Sequence, residues 1–244
     1  MSPDFSEKGI IMLDKRLMEC ALYVTQGSVA ADIGTDHAYL PVYLIKSGIS
    51  HFVYACDIKD GPLEAARASV AREGLDEKIS VLKSDGLDSV PLDGITDIIA
   101  AGIGGETIAQ IIDRCNYIKK NRVNLVLQPM TRAYFLRRFL CENGFAIKAE
   151  SAVSSGEFCY TVMNAEYMPG EAKLDEYYFY TGKLSNKKPD DIKYLNRLIN
   201  KLTVSGEGMK RSLDKKTEGE KNTLIANRIA RFLKEGKNDC RRDL

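Results

Sequence analysis

Residues 30–41 constrain this chain more than any other stretch. Ala30, Ala31, Asp32 and Ile33 read as the end of a buried strand, Gly34 to Ala38 as a turn carrying a second carboxylate, and Tyr39 to Pro41 as the start of a helix. A strand that passes through a glycine turn into a helix is the opening unit of a doubly wound α/β sheet. In such sheets ligands lie in the crevice beyond the carboxyl ends of the strands. The turn also holds His37, one of two histidines in the chain.

The rest of the chain extends that unit. Leu13, Leu17, Ala21 and Val24 recur at helical spacing and place a short amphipathic helix before the first strand, 28–33. Further strands are expected at 51–57, 79–82, 96–101 and 124–127. They alternate with helices at 39–47, 62–73 and 107–113, and with one that contains Leu136, Phe139 and Leu140 and stops at Gly144. This alternation predicts a mainly parallel sheet with helices on both faces. Two last strand-like runs, 145–149 and 160–165, have no helical pattern between them and predict an antiparallel edge pair. The fold class is therefore α/β, a Rossmann-like methyltransferase sheet rather than a dehydrogenase sheet, which would continue with crossover helices.

Strand ends carry the chemistry. Asp57 lies 25 residues after Asp32 at the end of the next strand, where a carboxylate accepts ribose hydroxyls, and Ile58 follows it. Asp85 ends the third strand, placed to accept from an adenine amino group, with Gly86 allowing close backbone approach. Ala101 and Gly102 end the fourth, and Gly104 and Gly105 leave a low wall where a substrate enters. A pyrophosphate site needs Gly-x-Gly-x-x-Gly so that bare amides face the anion. Here Asp36 takes the second glycine's place; it would repel phosphate and suits a sulfonium. With Asp32 and Gly34, these residues predict an S-adenosylmethionine site. A structural role, capping the following helix, is also open to Asp32 and Asp36.

Composition adds a second module. Residues 1–170 hold 17 Lys and Arg against 22 Asp and Glu, whereas residues 171–244 hold 18 against 12, so an acidic part precedes a basic one. A basic appendage suits a polyanion such as nucleic acid. In the tail, Pro189, Asp190 and Asp191 start a helix with the stripe Ile192, Leu195, Leu198, Ile199 and Leu202. A second stripe comprises Leu224, Ile225, Ile229, Phe232 and Leu233. Each stripe needs a partner, so an antiparallel helical pair is expected, with Lys210, Arg211, Lys215 and Lys216 near its turn and available to phosphate. The expected domains are 1–165, the methyltransferase unit, and 166–244, a helical, coiled-coil-like unit. Six cysteines are scattered without a Cys-x-x-Cys pair, so neither a metal site nor a disulfide framework is expected. Residues 1–9 are polar and no run reaches the roughly 18 apolar residues of a span, so no membrane association and a cytoplasmic location are expected.

The segment from Asp32 to Pro41, the run from Ala101 to Gly105, Leu127-Gln128-Pro129 and the helical tail together resemble the bacterial tRNA (adenine-N1)-methyltransferases that modify adenine 22. The likeness runs from about Leu13 through the catalytic domain, and more loosely through the tail, where Gly206 and Gly208 depart from a long uninterrupted hairpin helix. The resemblance implies S-adenosylmethionine as cofactor, tRNA as partner and a carboxyl-terminal coiled coil that helps hold tRNA. It places Asp36 and His37 at the catalytic position and Gln128 on the substrate side. Tyr39, Tyr134 and Phe135 are candidate stacking partners for the base. No Asn-Pro-Pro-Tyr motif follows the fourth strand, where Gly102 to Gly105 stand instead; this argues against exocyclic amino methylation. Methylation of another RNA or a small molecule, and a non-catalytic RNA-binding module, are the competing readings.

Overall fold

The computed structural model describes residues 13–170, 175–210 and 213–239. Arg211 and Cys240, like residues 1–9, lie outside the described residues. Helix α1 (Lys15–Ala21) precedes β1 (Ser28–Ile33), and α2 (Tyr39–Lys46), β2 (Ser50–Asp57), α3 (Asp60–Arg72) and β3 (Ile79–Lys83) follow. Next come β4 (Asp97–Ile103), α4 (Gly105–Arg114), α5 (Asn116–Asn121), β5 (Asn124–Pro129) and α6 (Ala133–Glu142). The long strands β6 (Phe145–Ser155) and β7 (Phe158–Tyr167) complete one seven-stranded sheet of order β3-β2-β1-β4-β5-β7-β6. Strands β1 to β5 are parallel, β7 enters antiparallel beside β5, and β6 pairs antiparallel with β7.

Alternation along each strand sends neighbours to opposite faces. Ala31, Ile33, Ile98, Ala100, Leu125 and Leu127 face one apolar cluster with α4, α5 and α6. Ala30, Ile99 and Val126 face another with α1, α2 and α3. Burial on both faces is why these strands read as nearly unbroken apolar runs.

Beyond the sheet, α7 (Glu176–Thr181) leads to α8 (Pro189–Lys210), a 3-10 turn at Leu213–Lys215 and α9 (Lys216–Asp239). Leu195, Leu202, Ile225, Ile229 and Leu233 bury the facing stripes of α8 and α9, with Ala152 of β6 in the same cluster. The hairpin is fastened to the sheet at its base. Asp191, 1% exposed, accepts from the Ala152 amide at 2.8 Å and the Ser185 amide at 2.9 Å. Asp190 accepts from the Ser154 amide at 3.2 Å and its hydroxyl at 2.7 Å, and these bonds hold its carboxyl below the usual range.

Gly206 and Gly208 do not interrupt α8, contrary to the sequence reading. Gly206 is buried where the helices meet, and a Cβ there would stand 2.9 Å from the Gly219 carbonyl oxygen and 2.9 Å from Thr223 Oγ1. Gly219 mirrors it, with a Cβ 2.7 Å from the Gly206 carbonyl oxygen. The pair lets the two backbones touch. Gly208 faces open space, so the two residues should respond oppositely to alanine. Gly206→Ala is expected to lower the thermal midpoint by overpacking, at a cost of about 1–3 kcal/mol. Gly208→Ala is expected to raise it, by up to about 1 kcal/mol of helix propensity. Thermal melts of the two variants check both signs.

Candidate active site

The turn after β1 is fixed by β2. The amides of Gly34 and Thr35 both donate to the Cys56 carbonyl oxygen, at 2.8 and 2.9 Å. Gly34 has a φ of +76°, and a Cβ there would come within 3.1 Å of Ile103 Cγ2, so position and conformation both favour glycine. His37 and Ala38 continue the turn with φ values of +56° and +54°, two successive left-handed residues that each carry a Cβ. Ala38 stands at the N-cap of α2 with no side-chain cap bond. Neither Asp32 nor Asp36 caps that helix.

Asp32 is 5% exposed, and burial pushes its carboxyl up from 3.8 to about 6; the nearby Thr35 hydroxyl eases this, and the Asp57 carboxylate adds to it. Thr35 Oγ1 is itself buried and makes no full hydrogen bond among the described residues. An acid held away from water beside an unsatisfied hydroxyl is costly in a protein that binds nothing there. Asp57 accepts from the Lys59 amide at 2.7 Å, which aims its carboxylate beyond the end of β2, where Ile58 is 55% exposed. Asp85 follows β3 and lies 3.3 Å from the Arg114 guanidinium, which its hydrogen bond holds further toward the charged form. Gly86 has a φ of +61°, and a Cβ there would be 2.8 Å from Ile111 Cγ1, so the close packing of α4 sets this glycine.

At the end of β4, Ala101 is buried and Gly102 is exposed with a φ of +82°. Its amide donates to Gln128 Oε1 at 3.0 Å, and Arg16 Nη1 donates to the same oxygen at 2.7 Å. Gln128 Nε2 donates to the Pro129 carbonyl oxygen, and the side chain is fully buried. Gln128 thus joins α1, β4 and β5 beneath the crevice. Gly105 is closed in, because a Cβ there would sit 2.8 Å from the Arg132 carbonyl oxygen and 2.9 Å from that of Thr131, whereas Gly104 has only ordinary contacts. Asp36 projects outward with its side chain 81% exposed, and His37 Nε2 lies 3.5 Å from its Oδ1. The His37 ring stacks on Tyr39 with centroids 5.1 Å apart and planes 5° from parallel.

The strand ends of the parallel sheet therefore gather Asp32, Gly34, Asp36, His37, Asp57, Ile58, Asp85, Gly86, Ala101 and Gly102 along one edge. Lys210, Lys215 and Lys216 are exposed at the hairpin turn, about 30 Å along α8 from Asp191 at the usual rise per residue. Tyr134 is turned inward, bonded to Glu176 and packed on Tyr180, while Phe135 is 37% exposed. Thr35 and Arg16 carry no local sequence signal of a site role; only the burial of the one and the bond of the other to Gln128 bring them out.

The family described as a methyltransferase domain matches residues 13–163. The tRNA (adenine(22)-N(1))-methyltransferase of Bacillus subtilis (strain 168) is 35% identical over 165 residues, which cover 68% of this chain and 69% of that protein. This chain belongs to the tRNA (adenine(22)-N1)-methyltransferase family. Two solved structures named for the same group extend the likeness into the tail. The B. subtilis M1A22 tRNA methyltransferase TrmK aligns with a TM-score of 0.75 at 28% identity, over 92% of this chain and 98% of that one. M. capricolum TrmK, solved with S-adenosyl-homocysteine, aligns with a TM-score of 0.78 at 27% identity, over 91% and 99%. Membership in the tRNA (adenine(22)-N1)-methyltransferase family accounts for the sheet order and for helices α8 and α9 together. Among the described residues no helix is long and apolar enough to cross a membrane, and no group of side chains could hold a metal ion.

Proposed function

We propose that this protein methylates N1 of adenine 22 in tRNA with S-adenosylmethionine as cofactor. Membership in the family carries the choice of tRNA and of adenine N1, and the observation that supports the cofactor is the buried Asp32 beside the unsatisfied Thr35 hydroxyl, below a turn whose second glycine position holds Asp36. The residues fit this cofactor. The buried carboxylate would offer a counter-charge to a cation and Thr35 Oγ1 a hydrogen bond, Asp57 would accept from ribose hydroxyls, and Asp85 with Ile58 and Gly86 would take the adenine. Gly34, Ala101 and Gly102 form the backbone cradle.

Bound there, the cofactor supplies an electrophilic methyl group. Adenine N1 has a lone pair and needs no base, so the protein's work is to position the ring and offset the positive charge that develops on it. Asp36 is assigned that work: it accepts from the adenine amino group while its carboxylate faces the ring. His37, held flat on Tyr39, fixes Asp36. Gln128 is a positioning residue, acting through the Gly102 amide and Arg16. Gly104 and Gly105 shape the entrance. N1 is engaged when adenine is paired, so the base must be unstacked before it enters. Residues 1–165 would carry the reaction and 166–244 would hold tRNA, with Lys210, Arg211, Lys215 and Lys216 meeting phosphates. A tRNA substrate implies a cytoplasmic location.

Mass mapping of tRNA nucleosides from cells lacking the protein is expected to show adenine 22 unmethylated; an unchanged 1-methyladenosine content at that position would overturn the reading. In the purified enzyme Asp36→Asn is expected to lower kcat about a hundredfold with cofactor affinity unchanged, whereas Asp57→Ala should weaken cofactor binding itself.

A further inference from the structure

A cavity of about 480 Å3 lies beside the crevice, between the start of α6, strand β7 and helix α8. We propose that it is a second nucleotide subsite, which takes a nucleotide of the same tRNA other than the methylated adenine; this rests on the tRNA reading above.

Its position follows from register. Strand β7 runs antiparallel to β5 with Leu127 opposite Met163, so Thr161 falls at the carboxyl end of β5 and Tyr160 just past it, on the same edge of the sheet as the crevice. The connection from Pro129 to Phe135 forms one side. On the other, Tyr194, Arg197, Lys201 and Ser205 of α8 recur every three or four residues and present one helix face to the cavity.

Three features describe the occupant. The lining has four cationic residues and no acidic one. Arg137 is neutralised by Glu150 and Arg132 pairs with Glu106, but Arg197 and Lys201 form no ion pair among the described residues. Aromatic rings line the opposite side, including Phe135 and Tyr160, and the 65% exposed Phe158 stacks on Tyr160 at 6.1 Å between centroids. Lastly, Thr161 in the cavity wall is 1% exposed, and its hydroxyl has no hydrogen-bond partner among the described residues. Cations for a phosphate, flat faces for a base and a buried hydroxyl for a base edge or ribose describe one nucleotide of a single strand. The volume lies in the ordinary range of small-ligand sites, roughly 300–1,000 Å3. An extruded adenine leaves its neighbours unstacked, and this cavity receives one of them.

The test uses the full chain and a tRNA transcript. The chain has no tryptophan, so Phe135→Trp places a single reporter in the cavity, and its fluorescence is expected to be quenched by a stacked base when tRNA is added. Arg197→Ala with Lys201→Ala is expected to raise KM for tRNA about tenfold or more, the effect of losing the cations that meet one phosphate, with kcat and cofactor affinity unchanged. Thr161→Val should raise KM in the same direction without lowering the thermal midpoint, a split that a merely structural hydroxyl would not produce. If wild type forms 1-methyladenosine while the reporter stays unquenched and KM is unmoved in these variants, the subsite is wrong and the function stands. If wild type forms no 1-methyladenosine yet tRNA quenches the reporter, the reaction assignment fails and the subsite stands.

Discussion

Replacing Asp32 by asparagine is expected to abolish cofactor binding and, in the same protein, to raise the stability of the unliganded fold near neutral pH. Burial lifts the Asp32 carboxyl from 3.8 to about 6. The unfolded chain therefore loses this proton first. Between about pH 4 and pH 6 the folded protein holds a proton that the unfolded chain has released, and stability falls as pH rises through that window. Above it the folded protein carries a buried charge whose cost, at about two pH units, is roughly 3 kcal/mol. An asparagine side chain is neutral at every pH, so Asp32→Asn is expected to recover up to about that amount at neutral pH, read as a higher thermal midpoint without cofactor.

Cofactor binding inverts the sign. A cationic ligand favours ionised Asp32, so the wild-type affinity should be flat above about pH 6 and weaken about tenfold per pH unit below it, one proton being linked to binding. Calorimetric titrations from about pH 5 to about pH 8 check this slope, which is that of a single titrating group. A variant that bound cofactor as wild type does would remove Asp32 from the site.

The largest effect on the fold is expected at Arg137. Its guanidinium is buried and donates to Glu150 Oε1 from Nε at 2.9 Å and from Nη2 at 2.7 Å. Nη1 donates to the carbonyl oxygens of Phe179 and Tyr180 at 3.1 and 2.9 Å, and Glu150 Oε2 accepts from the Lys183 amide at 3.0 Å. A Cβ on Gly182, whose φ is +57°, would lie 1.8 Å from Glu150 Oε2, so the chain passes this pair without room for a side chain. Arg137→Met would leave a buried carboxylate without its counter-charge and take a donor from two carbonyls, a loss of about 3–5 kcal/mol, out of a typical total of about 5–15.

Because α6, β6 and the end of α7 meet at this pair, the loosening should start where the chain leaves the sheet for the hairpin. Limited proteolysis between residues 170 and 189 and a lowered thermal midpoint are the readouts. Arg137→Met combined with Glu150→Leu should recover part of the loss, since no buried charge is then left alone. Equal stability of the single and double variants would contradict this account.

The sheet was legible because parallel strands buried on both faces leave unbroken apolar runs, and because the first four of them run into an acid or a glycine at the carboxyl end. What depends on distant partners was not legible. The strands β6 and β7 run further than 145–149 and 160–165, as their polar ends, including Ser154 and Ser155, pair with each other and with Asp190. The six-residue helices α5 and α7 offer too few positions for a periodicity; Ile118 is the one buried residue of α5. Gly206 reads locally as a helix breaker, and only Gly219 across the hairpin gives it a packing reason. Likewise Gln128 looks like a substrate contact from its place at a strand end, but Arg16, more than a hundred residues earlier, and Gly102 occupy its carboxamide. Thr35 looks like any turn threonine until its burial is known.

Strand β6 is the outermost strand of the sheet on its side, and its outward amides at Ala152 and Ser154 are taken by Asp191 and Asp190. An unpaired outer strand is a template on which another chain can add. The hairpin helix thus shields that border with two carboxylates. During synthesis β6 and β7 are complete before Asp190 and Asp191 have been made, so the nascent protein passes through an interval with a bare border. The tail is in this sense a built-in guard against self-association, and a chain cut short before α8 is expected to lose solubility.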